Sequence, residues 1–169
     1  MTISMYRASV PVFQQILPAL CASLRKGADY AVAKKFDPAV LLQSRLYPVM
    51  FPLVRQVQIA ADFAKGTVAR LAGQEAPKYE DAETSFDELN ARIQKTLDYI
   101  GEFKPSQIDG SEEREVSFPT RVQTLKFKGE EYLVGFALPN FFFHATTAYA
   151  ILRHNGVELG KSDFMRAPG

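Results

Sequence analysis

The chain contains two histidines, His144 and His154, and both fall in the block 139–161, PNFFFHATTAYAILRHNGVELGK. Two imidazoles on one helix share a metal ion only when they stand three or four residues apart. These two are ten residues apart, which at ~1.5 Å rise per residue is ~15 Å along a helix axis. A zinc–nitrogen bond is about 2.1 Å long, so they cannot hold one ion together. His144 follows Phe141, Phe142 and Phe143, and its stripe continues through Thr147, Ala148 and Ile151. A histidine on such a stripe points inward. It is either a core imidazole hydrogen-bonded to Gln56, a hydroxyl or a carbonyl, or a ligand or general base. His154 closes the same helical pattern, where the helix dipole favours a cation.

Gln56 is the polar side chain on an otherwise apolar helical stripe. An unpartnered buried amide costs about 1–3 kcal/mol, so it must bond something inside the fold. Asn140 follows Pro139, where helical hydrogen bonding is interrupted, and either caps the second half of that helix or lines a cavity. Gln56, Asn140, His144, Thr147 and Tyr149 are thus the candidate ligand-binding residues, with His144 the best catalytic candidate. Asp62 shares a different face with Arg55, Gln58 and Lys65 and reads as a solvated salt-bridge face. Arg45, Arg70 and Arg153 read as partners for acids or grips for an anionic ligand. The run Gly156-x-x-x-Gly160-Lys161-Ser162 resembles a phosphate loop but has one residue too few and follows a helix, so it is rejected. Cys21, the one cysteine, sits in an apolar stretch far from any histidine and reads as a buried structural thiol.

The elements that must position these residues are helical. Tyr6, Val10, Phe13, Leu17, Leu20, Leu24 and Ala28 recur at helical spacing. A second pattern starts near Asp37 and Pro38 and runs through Leu42, Leu46, Val49, Leu53, Gln56, Ala60, Phe63, Thr67 and Leu71 to a stop at Gly73. Pro48 and Pro52 should bend or break it. The polar, acidic stretch 74–84 reads as a loop. Ser85 and Glu88 form a capping box for a third helix with Phe86, Leu89, Ile93, Leu97 and Ile100 on its inner face. Alternating residues in 115–119 and 122–128 predict a short β-hairpin, or a loop insertion, before a fourth helix over 130–154 that Pro139 interrupts. Asn155 and Gly156 should end it. The fold class expected is all-α: one domain over 1–169, a four-helix bundle with a small insertion between the third and fourth helices.

Composition sets outer limits. A chain of 169 residues, 47% hydrophobic and 23% charged, can bury a core of its own. A formal charge of +1 gives no field that would draw it to nucleic acid or to an anionic membrane. No run approaches ~20 apolar residues, and the first residues lack the pattern of a secretion signal. With a single cysteine these features predict a cytoplasmic protein.

The segments MYRASVPVFQQILPAL, RLYPVMFPLVRQVQIAADFAKGTVARLAG and PNFFFHATTAYAILRHNGVELGKSDF resemble an uncharacterised bacterial family, a domain of unknown function grouped with the DinB/YfiT-like putative metalloenzymes. The resemblance implies a bundle with up-down-down-up connectivity, frequently a homodimer. In the wider superfamily a divalent metal such as zinc, nickel or manganese is held by one histidine of helix two and two histidines four apart in helix four. Here helix two has no histidine, position 148 is Ala148, and Val49 stands where the nearer family usually has an acid. His144 alone matches. The resemblance therefore implies a DinB-like bundle without a complete metal triad, and the polar residues facing its interior imply a small-ligand pocket in the bundle core near His144. The alternative is a metal-dependent enzyme of the thiol-transferase type that uses His144.

Overall fold

Val10, Phe13, Leu17, Leu20 and Leu24 return to one side of a helix every three or four residues, and all five are buried along α1 (Val10–Lys34). The computed structural model describes residues 3–120 and 122–165. Pro18 lies inside α1, and the helix ends at Lys35, which takes a left-handed backbone (φ 59°).

The second helical pattern breaks at its prolines. It gives a single turn, α2 (Ala39–Leu42), then the irregular stretch 43–52, then α3 (Leu53–Leu71). Pro52 is extended (φ −70°, ψ 168°), and the Leu53 N–H bonds the Ser44 carbonyl at 2.9 Å instead of continuing a helix. Proline lacks an N–H and forces the residue before it out of the helical region, so two of them four residues apart dissolve the turns between. The expected stripe is corrected accordingly. Leu46 and Val49 do not face the core, and Val49 is 86% exposed.

Gly73 (φ 71°) stops the chain just beyond α3. The capping box at Ser85 starts α4 (Phe86–Gly101): the Ser85 hydroxyl accepts from Glu88 N–H while the Glu88 carboxylate accepts from the Ser85 N–H. After the short α5 (Pro105–Ile108), β1 (Glu115–Pro119) and β2 (Thr124–Lys128) pair antiparallel with Val116 opposite Phe127 and Phe118 opposite Leu125.

The last long helix does not break at Pro139 as the sequence suggests. α6 (Gly129–Tyr132) runs into one wider, π-helical stretch at Leu133–Ala137 and on into α7 (Leu138–His154). The Leu138 N–H reaches back five residues to Leu133, and Pro139 sits in the first turn of α7, where its missing N–H is least costly. Gly156 (φ 97°) follows the end of α7, and α8 (Lys161–Phe164) closes the described chain.

The molecule is mostly helical with one two-stranded sheet. α3 packs on α7 and α4, and α1 packs on α4 and α7. Phe13 of α1 meets Phe141 of α7 edge to face, with ring centroids 4.8 Å apart. α3 runs antiparallel to the continuous helix of α6, the π-helical stretch and α7: Gln56 meets His144, Phe63 meets Phe136, and Arg70 meets Tyr132. The hairpin lays Phe118 and Phe127 on Tyr132 and Phe136. Among the described residues no helix is long and apolar enough to cross a membrane.

Candidate functional site

Gln56, in the first turn of α3, is 1% exposed. Its Nε2 donates to the Phe51 carbonyl at 3.0 Å, and its Oε1 lies 2.7 Å from His144 Nδ1. A carbonyl oxygen only accepts, so the amide nitrogen must be the atom facing Phe51. The amide oxygen then faces the imidazole, and Nδ1 must carry the proton. The turn backbone thereby fixes the His144 tautomer, leaving an unprotonated lone pair on Nε2.

The surroundings keep that ring neutral. Burial pushes the His144 pKa from 6.5 down to about 4, and the positive charge of Arg55 pushes the same way. Phe63 stacks on the imidazole at 6.1 Å, and the Phe143 ring stands perpendicular to it at 5.2 Å. His144 is half-buried, Phe143 against it is 56% exposed, and Phe51, whose carbonyl receives the Gln56 amide, is 53% exposed. His144 is thus a neutral hydrogen-bond acceptor or base in a half-buried, aromatic setting.

The other sequence candidates are placed elsewhere or turned inward. Asn140 does not cap a helix end, because the helix is continuous there. Its Nδ2 instead donates to the Phe136 carbonyl at 2.7 Å, in the region where the π-helical stretch and Pro139 disturb the ordinary backbone pairing. The Thr147 hydroxyl donates to its own helix, to the Phe143 carbonyl at 2.7 Å. Tyr149 packs edge-on to Phe164 of α8, and His154 is exposed at the end of α7. Among the described residues Arg70 pairs with no acid; it donates to the Tyr132 hydroxyl at 3.0 Å and lies 4.7 Å from the Phe118 ring. Cys21 is buried, and burial raises its thiol pKa. A cleft of about 550 Å³ lies away from His144, between α1 and the segment after α7, lined by Lys26, Tyr30, Lys34 and Gly156 among others.

A metal of the kind the superfamily resemblance implies does not fit these residues. Gln56 already occupies Nδ1, the nearby charge is the cation Arg55, Ala148 is buried as core, and Val49 is turned to solvent. Among the described residues no three of His, Cys, Asp and Glu gather where an ion could sit.

One polar cluster is not legible in the spacing. The face of Asp62, Arg55, Gln58 and Lys65 is only partly solvated: stretch 74–84 lies across it, Gln58 and Lys65 are buried, and Asp62 and Arg55 stay half-exposed. Arg92 of α4, 4% exposed, joins Glu83 at 2.9 Å, Asp62 at 2.9 Å, Asp81 at 3.0 Å and the Glu80 carbonyl at 3.0 Å. Asp81 also pairs with Arg55, and Gln58 donates to Glu83 at 2.8 Å. Lys65 and Lys95 each stand 4.3 Å from the Tyr79 ring. The signal for this cluster was the concentration of acids in 74–84, set against bases on two neighbouring helices.

The helical architecture is similar to that of a DinB-like protein. A crystal structure of a DinB family member protein from Shewanella denitrificans is 42% identical, with a TM-score of 0.87 over 96% of this chain and 92% of that one. Residues 5–165 match the family model for a domain of unknown function, DUF1993, and the chain belongs to that family. No protein of curated function matches.

Proposed function

We propose that this is a bacterial, cytoplasmic ligand-binding protein, a DinB-like four-helix bundle of α1, α3, α4 and α7 that works without a metal triad. A small organic molecule docks at the mouth between Phe51 and Phe143 and hydrogen-bonds His144 Nε2. One observation carries this reading: the Gln56 amide, oriented by the Phe51 carbonyl, holds Nδ1–H and leaves Nε2 as a neutral acceptor in a half-buried, apolar setting. A metal-dependent thiol transferase is less well supported, since one imidazole beside an arginine makes a poor metal site.

The test combines three measurements. Long-range ¹H–¹⁵N spectra should find the Nδ1–H tautomer at His144, and a screen of small fragments should find donors that shift Nε2 and lose binding in His144→Ala. Elemental analysis after dialysis should find no stoichiometric metal. An Nε2–H tautomer, fragment binding indifferent to His144→Ala, or retained zinc, nickel or manganese would each overturn the reading.

A homodimer is a second element of the proposal. Val40, Leu46, Tyr47 and Val49 place exposed apolar side chains on α2 and the stretch that follows it. Sedimentation at micromolar concentration should find a dimer, and a monomer there sinks the idea.

A further inference from the structure

A second polar feature near His144 bears on which ligand the proposed site takes. Arg55 makes its hydrogen bonds to Gln58 and Asp81 through Nη1, and no bond to its Nε–Nη2 edge occurs among the described residues. That edge is a planar pair of donors, the geometry that receives a carboxylate side-on. Arg55 is half-exposed, and its guanidinium carbon lies 6.0 Å from the Phe51 ring. Gln56, the next residue, bonds both the Phe51 carbonyl and His144. Arg55 is close enough for its charge to act on His144, so the cation with Phe51 beside it and the imidazole with Phe143 beside it belong to one region of the surface.

Resting on the ligand-binding reading above, we propose that the site takes an apolar monocarboxylic acid bearing a hydroxyl or amide N–H. The carboxylate docks on the Nε–Nη2 edge of Arg55, the O–H or N–H donates to His144 Nε2, and the apolar body lies on Phe51 and Phe143. Each part has a reason. A lone pair at the mouth selects a donor, because a ligand offering only acceptors leaves it desolvated and unmatched. A single negative charge suits Arg55, whereas a dianion would stand against Asp81, which holds the opposite edge and is shared with Arg92. An apolar body covers two rings that the fold leaves in water.

Three probes separate these contributions: 3-phenyllactate, its amide (no carboxylate) and 3-phenylpropionate (no hydroxyl). The full acid should shift the His144 Nε2 resonance and bind most tightly. Loss of the carboxylate should weaken binding about 10-fold or more, and loss of the hydroxyl about 3-fold or more. Arg55→Gln, a change at a half-exposed side chain, should erase the preference for acid over amide. Equal affinity for acid and amide, or a preference that survives Arg55→Gln, overturns the ligand class while leaving His144 as a binding site. If neutral fragments shift Nε2 and phenyllactate does not, the class again falls alone. If nothing shifts Nε2, the class and the site fall together.

Discussion

Arg92 Nη1 lies 2.9 Å from Glu83 Oε1, and through this pair the acidic stretch 74–84 is tied to α4. Arg92 also holds Asp62 of α3, so one buried guanidinium joins three segments. Removing it leaves three carboxylates facing one another. Breaking a fully buried pair costs about 3–5 kcal/mol, but Asp62 and Asp81 are 36% and 39% exposed and water relieves part of that. Arg92→Ala should therefore cost roughly 2–4 kcal/mol in urea denaturation. Trypsin should cut after the exposed Lys78 faster in the variant than in the parent. Arg92→Lys should fall between them, since an ammonium keeps the charge and loses the fork.

The depressed pKa of His144 makes stability depend on pH in a defined window. The folded-state pKa is about 4 against an ordinary 6.5, so between these values the unfolded chain binds a proton that the folded chain does not. This contribution is fully present above pH 6.5 and is lost as pH falls toward about 4. Urea midpoints at pH 7.5 and pH 5 should separate more for the parent than for His144→Gln, which cannot titrate there. Equal separations would show that His144 is not held neutral.

Gln56→Leu keeps the volume and removes both amide partners. The His144 Nδ1–H and the Phe51 carbonyl then lose their hydrogen bonds, at a cost of about 1–3 kcal/mol. Gln56→Glu should act in the opposite sense on the imidazole. A carboxylate against Nδ1–H favours the charged ring, so the His144 midpoint should move above its present value of about 4 in an NMR titration.

Gly129 opens α6, where its φ is not positive. Alanine at a helical site ordinarily gains about 1 kcal/mol over glycine. Here a β-carbon would collide with the backbone carbonyl oxygen of Ser111, which cannot swing aside as a side chain would. Gly129→Ala should therefore destabilise, by about 1–3 kcal/mol. Thermal unfolding reads the sign directly.

The elements legible in the sequence were those governed by neighbours in the chain. The capping box at Ser85 and Glu88 and the alternation around Val116 and Phe127 are local signals, and the structure has the corresponding helix start and hairpin. Leu46 and Val49 misled because periodicity does not register that Pro48 and Pro52 remove the backbone donors a helix needs there. Pro139 misled in the opposite direction, because a π-helical turn upstream absorbs the missing N–H. Gln58 and Lys65 looked solvated because only the tertiary course of 74–84 covers them. The polar character of Gln56 and His144 could be read from their stripes, but the tautomer could not. It depends on the Phe51 carbonyl, whose direction is a property of the folded turn.

That carbonyl has a consequence for coupling across the molecule. One amide joins the backbone of 43–52 to an imidazole on α7. A donor arriving at Nε2 draws charge through the ring, strengthens Nδ1–H as a donor to Oε1, and so sharpens the amide's own grip on Phe51. By thermodynamic reciprocity, whatever orders the 43–52 backbone raises affinity at Nε2 by the same factor. Occupancy at His144 and the order of a surface turn are then two readouts of a single equilibrium.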